Sequence, residues 1–237
     1  MRLHNKILPP PNIWWGFICY GVRMVLKDKD IREPLFEFLE ERYAKVRILE
    51  EQTIGDSRAD IMMILPDRII GIEIKSDADT YARLERQVKD YELYFDANMV
   101  VVGSTHAIHV SEHIPDHWGI ISVEEIDETL DFYVVREMKP NPNRELKRKI
   151  RILWRPELAH IQELNMMAKY KDRSKDFVRE KIIEKVPEEI LHTQISEELF
   201  ERDYDTIAEQ IKAYRQAQNP TKRVHVKKKK YRRKNRK

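Results

Sequence analysis

Residues 60–91 read DIMMILPDRIIGIEIKSDADTYARLERQVKDY, and the fold turns on how that stretch divides. Two β-rich apolar runs flank Pro66 and Asp67, the punctuation of a hairpin. The second run carries Glu73 and Lys75 inside an otherwise apolar strand, where unpaired charge is costly to bury. With the hairpin symmetric about Pro66 and Asp67, Asp60 falls opposite Glu73, their Cβ atoms about 5 Å apart on one face. Lys75, two residues beyond Glu73, shares that face. Proline is excluded from turn positions of positive φ, so a four-residue loop is expected. A slip of one residue would send Asp60 to the opposite face, so the reading depends on this register.

Two facing carboxylates repel unless a proton or a cation lies between them. Oxygen ligands from Asp60 and Glu73 suit Mg²⁺ (or Mn²⁺), joined by the carbonyl of Ile74, whose side chain enters the core. Such an ion polarises a phosphodiester and lowers the pKa of water. Lys75 is placed to orient that water and to stabilise charge building on phosphorus. The competing reading is structural: an ion pair of Asp60, Glu73 and Lys75 on a solvated strand face.

Working outward, residues 30–46 (DIREPLFEFLEERYAKV) carry Ile31, Leu35, Phe38 and Leu39 at helical spacing, with Asp30 as N-cap. A short strand is expected over 45–52 and a loop at GDSRAD. After the hairpin a helix of about fifteen residues opens near Asp79 as N-cap, its apolar stripe being Leu84, Val88, Tyr91 and Phe95. The valine-rich run at 98–105 suits a strand covered on both faces. GIISV (119–123) and DFYVVREM (131–138) are further strands. The order implies an α/β sandwich with a mixed central sheet flanked by helices.

KPNPN (139–143) ends this pattern, and the chain to about residue 217 reads as short helices. The expected organisation is an N-terminal segment (1–29), an α/β core (30–138), a helical module (144–217) and a basic tail (220–237). The sequence has 237 residues, of which 36% are charged, and a formal net charge of +3. Residues 222–237 hold eleven Lys/Arg and no acid, leaving −8 on the remainder. A like-charge block of this kind is expected to be disordered and to meet nucleic acid through counterion release, with Lys227, Lys228, Lys229, Lys230, Arg232 and Arg233 as its contacts. The bland alternative is a solubilising tail.

A single cysteine, Cys19, excludes an intramolecular disulfide framework and favours a reducing compartment. IWWGFICYGVRMVL (13–26) is too short an apolar run to span a bilayer and lacks a signal-peptide cleavage pattern. A cytoplasmic protein without a membrane partner is expected. His106, His109, His113 and His117 do not follow a zinc-ligand spacing and are read as loop and strand residues.

Asp60 followed by Glu73-Ile74-Lys75, a helix and a hydrophobic strand resembles the PD-(D/E)XK nuclease superfamily, the restriction-endonuclease-like fold. Gln87 and Tyr91 are similar to the Gln-x-x-x-Tyr element of its RecB-like exonuclease branch. EIKSDADT, YELYFD, VVVG, HWGI (117–120) and LWR (153–155) look like a group of small prokaryotic and phage proteins of that superfamily. The resemblance covers roughly residues 30–200. It implies a metal-dependent deoxyribonuclease in which Asp60 and Glu73 hold Mg²⁺, Lys75 is the catalytic lysine and Gln87 supports the site. Glu33 from the first helix is the candidate additional acid, with Glu50 or Glu51 in its place otherwise, and Arg58 is a candidate phosphate contact. Ala59 stands where the motif's proline would be. Residues 153–186 resemble a SAP-type helix–loop–helix DNA-binding motif. DNA is the favoured partner over RNA. The other function classes kept open are a non-cleaving nucleic-acid-binding module on the same fold and an accessory protein that binds a protein partner.

Overall fold

The computed structural model describes residues 26–202; the N-terminal residues 1–25, residues 203–217 of the helical stretch and the basic tail lie outside them. Helix α1 (Asp28–Tyr43) leads into strands β1 (Arg47–Ile54), β2 (Ser57–Ile64) and β3 (Ile69–Lys75). A 3₁₀ turn at Tyr81–Arg83 opens α2 (Leu84–Tyr94), followed by β4 (Ala97–Gly103), β5 (Gly119–Ile126) and β6 (Thr129–Arg136). Four helices follow: α3 (Leu146–Lys149), α4 (Arg155–Leu164), α5 (Lys175–Lys185) and α6 (Glu188–Phe200). The strands form one mixed sheet in sequence order, β1-β2-β3-β4-β5-β6. β1, β2 and β3 pair antiparallel as a meander, and α2 carries the chain over to β4, parallel to β3. β5 joins parallel to β4, and β6 returns antiparallel.

The hairpin has the expected register. Ile61 pairs with Ile72 and Ile64 with Ile69 around a four-residue loop, closed by the Leu65 N–H donating to the Arg68 carbonyl at 2.9 Å. The first hairpin is tighter than expected. Gly55 at φ +53° permits a two-residue connection, so Arg58 and Ala59 belong to β2 instead of a loop.

Period-two alternation sorts the sheet into two faces. Ile61, Met63, Ile70, Ile72, Ile74 and Val101 pack under α1, through Ile31, Leu35 and Leu39. Met62, Ile64, Val100, Val102 and Ile120 pack on the other face with Leu84, Tyr91 and Phe95 of α2. Residues Leu158, Ile161, Val178, Ile182, Leu191 and Ile195 of the C-terminal helices join this same cluster. The chain past KPNPN therefore shares a core with the sheet. Gly71 makes the α2 packing possible, because a Cβ there would sit 2.2 Å from the Phe95 ring and 2.7 Å from that of Tyr91.

Two helix starts differ from the expected ones. Asp30 lies in the first turn of α1, where its carboxylate accepts the Lys27 N–H at 3.2 Å. Asp79 accepts the Ser76 N–H (2.9 Å) and Oγ–H (2.7 Å), closing the turn that leaves β3 instead of capping α2.

Glu92 explains the HWGI and KPNPN segments. Its buried carboxylate accepts from Trp118 Nε1 (2.7 Å), Asn98 Nδ2 (3.2 Å) and Asn143 Nδ2 (2.7 Å), and His117 Nε2 lies 2.9 Å away. Asn141 takes up the last carbonyls of α2, donating to Glu92 and Phe95 at 2.8 Å each. Glu92→Ala would strand several buried donors at once, each worth about 1–3 kcal/mol unsatisfied. We expect a loss of about 3 kcal/mol, read as a lowered denaturant midpoint at unchanged slope; a loss below about 1 kcal/mol would show that water replaces the carboxylate.

Candidate active site

Asp60, Glu73 and Lys75 stand on the sheet face that α2 covers, at the carboxyl end of β3. Glu73 is 1% exposed and Lys75 6% exposed, so neither charge is held by water. Their partners are each other and α2. Lys75 Nζ donates to Glu73 Oε1 at 2.5 Å and to Gln87 Oε1 at 3.2 Å. Gln87 Nε2 donates to the same Glu73 oxygen at 2.5 Å, and the Tyr91 hydroxyl donates to Glu73 Oε2 at 2.7 Å. Gln87 and Tyr91, one turn apart, thus share the helix face that meets the site. Tyr91 is fully buried in the apolar stripe and also bonds the carboxylate. Burial first, then Glu73 and Asp60, push its pKa well above the ordinary value, so it remains a donor.

The backbone around Asp60 is detached from the β1 ladder. Glu50 pairs with Ile61 and Gln52 with Ala59, but Glu51 and Asp60 between them do not pair. Glu51 sits at φ +56°, a left-handed conformation that is strained for a non-glycine residue. The freed groups of Asp60 are taken up by the site. Its N–H donates to the Tyr91 hydroxyl at 3.2 Å, and its carbonyl accepts from Arg32 Nη1 at 3.3 Å. Its carboxylate accepts the Ile74 N–H at 2.9 Å. Burial, then the Glu73 carboxylate, push the Asp60 pKa up to about 7, against the opposing pull of the Ile74 N–H and Lys75.

A cleft of about 580 Å³ opens over these groups, lined also by Asp28, Arg32, Glu51, Arg58, Arg83 and Arg86. Arg32 from α1 ties its edge together, bonding Asp28 (2.8 Å), Glu50 (3.0 Å) and Glu51 (2.8 Å), with Asp60 Oδ1 at 3.8 Å. Arg58 pairs with Glu51.

The placement of the remaining candidates is mixed. Glu33 is exposed and does not line the cleft, because one residue of helix turns a side chain by about 100° and it is the preceding Arg32 that faces inward. Glu51 does reach the cleft, but two arginines hold it. The four histidines separate: His106 and His113 pack on Tyr81, His109 lies beside Glu112, and His117 serves Glu92. Lys227, Lys228, Lys229, Lys230, Arg232 and Arg233 lie outside the described residues. Sequence reasoning missed Arg32, Arg83 and Arg86; the only signal for the first was the i,i+4 spacing of Asp28 and Arg32.

The donor set suits a hard divalent cation. The Ile74 N–H points toward Asp60, and in an extended strand a residue's N–H and C=O share an edge, so the Ile74 carbonyl faces the carboxylates instead of β4. Two carboxylates, a carbonyl and water are oxygen ligands of the kind Mg²⁺ takes. Asp60's raised pKa reflects burial first and then repulsion from Glu73, and a cation there would offset both. Among the described residues no group of three or more His, Cys, Asp and Glu side chains is arranged as a metal cluster.

A six-stranded mixed sheet with helices on both faces makes this an α/β protein, with Asp60 on β2 and Glu73 and Lys75 on β3 brought together at one end of the sheet. The chain belongs to the bacteriophage P4 protein cII family, whose sequence model matches residues 23–226. No curated protein matches it. Among solved structures, Pyrococcus furiosus SfsA in complex with Ca²⁺ is similar at 14% identity, covering 52% of this chain and 68% of that one, with a TM-score of 0.32.

Proposed function

We propose that this protein is a metal-dependent nuclease that hydrolyses phosphodiester bonds of DNA. The observation that carries the reading is the convergence of Asp60, Glu73 and Lys75, with Gln87 and Tyr91 behind them, at the floor of an open polar cleft. Asp60, Glu73 and the Ile74 carbonyl would hold Mg²⁺ or Mn²⁺. The chemistry available from such an ion is charge neutralisation at the phosphodiester and a lowered pKa for water. Lys75 exchanges Glu73 for the nucleophilic water and the phosphoryl oxygens, stabilising the charge that develops there. Gln87 and Tyr91 hold Glu73 in place while Lys75 moves.

The test is cleavage of supercoiled plasmid and of labelled linear and single-stranded DNA with Mg²⁺, Mn²⁺ or EDTA. Cutting that requires the metal supports the reading. A non-cleaving nucleic-acid-binding module is the second reading, favoured by the fact that both Glu73 oxygens already have protein donors. Binding without cutting on every substrate would select it.

No described helix is long and apolar enough to cross a membrane; a cytoplasmic location and a nucleic-acid partner are parts of the proposal. The helical module and the tail are assigned to DNA contact. With −8 on residues 1–221, the tail supplies much of the phosphate affinity. Deleting residues 222–237 is therefore expected to weaken DNA binding and flatten its salt dependence. Equal slopes for full-length and truncated protein would remove the tail from the account.

A further inference from the structure

The cations of the active cleft differ in what holds them. Lys75 is engaged by Glu73, Arg32 by Asp28, Glu50 and Glu51, and Arg58 by Glu51. Arg83 and Arg86 also line the cleft and are exposed. Neither forms an ion pair or a side-chain hydrogen bond with a described residue. They are three residues apart at the start of α2 and share a face. Gln87, which bonds both Glu73 and Lys75, adjoins them in that first turn.

This cleft does not end at the reactive groups. A second cleft of about 450 Å³ shares Thr53, Gly55 and Asp56 with it and continues past Asp90, Leu93 and Tyr94 of α2. Arg148 and Arg151 line its far part. Arg151 forms no ion pair with a described residue, and Arg148 has only an exposed contact to Glu145 at 3.6 Å. The two clefts thus follow one flank of α2, with arginines at each end and the acids Asp56 and Asp90 at the waist. From Arg86, which lines the first cleft, to Tyr94, which lines the second, α2 rises about 12 Å at about 1.5 Å per residue.

We infer that the joined clefts are a track for one phosphodiester backbone: Arg83 and Arg86 clamp phosphate beside the reactive groups, and Arg148 and Arg151 take a phosphate farther along the strand. The inference rests on the phosphodiester reading of the site but not on cleavage. The waist acids keep phosphate off the β1–β2 turn, so contacts concentrate at the ends. Counterion release then makes each contact visible as salt dependence.

The experiment uses the full chain carrying Lys75→Ala, in EDTA, with labelled single-stranded and duplex oligonucleotides titrated across a range of salt. Removing the contacts to one phosphate lowers the slope of log K against log salt by about 0.7 for a single strand and about 0.9 for a duplex. That loss is expected for Arg83→Ala/Arg86→Ala and again for Arg148→Ala/Arg151→Ala. Lys89→Ala, on α2 but outside both clefts and paired with Glu85, keeps the parent slope. Arg83→Lys/Arg86→Lys restores most of it, which a misfolded variant would not. A parent-like slope in Arg83→Ala/Arg86→Ala overturns the clamp even if the wild type cuts DNA. Loss of slope in a protein that cuts nothing retains the track and discards the nuclease. No binding of either oligonucleotide by the parent overturns the track and leaves the metal-dependent cleavage to its own test.

Discussion

Lys75→Ala and Asp60→Asn are each expected to abolish metal-dependent DNA cleavage, lowering the rate by about 10³-fold or more. The magnitude combines loss of a positioned proton-transfer or charge-stabilising group, worth about 10²–10⁴, with disturbance of the cation site. Lys75→Ala removes the ammonium and leaves Glu73 held by Gln87 and Tyr91, so the acid stays in place while the reactive charge is gone. Asp60→Asn keeps the shape and the acceptor for the Ile74 N–H but removes one of the two negative ligands. The measurement is nicking of supercoiled plasmid with Mg²⁺, each variant purified beside the wild type. Cutting that persists in both variants at the wild-type rate would place the chemistry elsewhere or in a contaminant.

The site was legible to the extent that its groups lie on neighbouring strands. Asp60, Glu73 and Lys75 are joined by a hairpin whose loop length and apolar alternation leave one workable register, and the pairing of Ile61 with Ile72 realises it. Tyr91 followed from the helical stripe one element later, whereas Gln87 was marked only by its resemblance to a Gln-x-x-x-Tyr element. What escaped depends on angles that a sequence pattern does not fix. The first helix supplies Arg32 and not Glu33, because its phase about the axis is set by how Ile31, Leu35 and Leu39 pack under the sheet. Arg83 and Arg86 look like any solvated helix face until the cleft above them is known. The donors around Glu92 come from residues 98, 117, 118 and 143, brought together by crossovers to which local periodicity is blind. Asp79 is a good helix cap by residue type, but a serine three residues back competes for its carboxylate and wins.

In the absence of metal, Asp60→Asn is expected to be more stable than the wild type at neutral pH, by up to about 4 kcal/mol. The Asp60 pKa rises from its ordinary 3.8 to about 7 on folding, because burial and Glu73 disfavour its charge. Between those two values the folded protein binds more protons than the unfolded chain, so stability falls as pH rises through that window. Below it the carboxyl is neutral in both states and costs nothing; above it the full cost of the ionised group is present, at about 1.4 kcal/mol per tenfold change in proton affinity. The difference in unfolding free energy between wild type and Asp60→Asn, taken in EDTA, should therefore be small near pH 4 and grow in the variant's favour to a plateau above pH 7. Taking the difference cancels the titration of groups common to both proteins. Mg²⁺ should then narrow the gap at high pH by stabilising the wild type alone, since an ion that binds only the folded state adds to its stability by mass action. A difference that stays flat across the window would show an Asp60 carboxylate without the charge burden assigned to it. A gap that Mg²⁺ leaves unchanged would remove the cation from the site. Either result is independent of cleavage, so it separates what the acid costs the fold from what it does for a substrate.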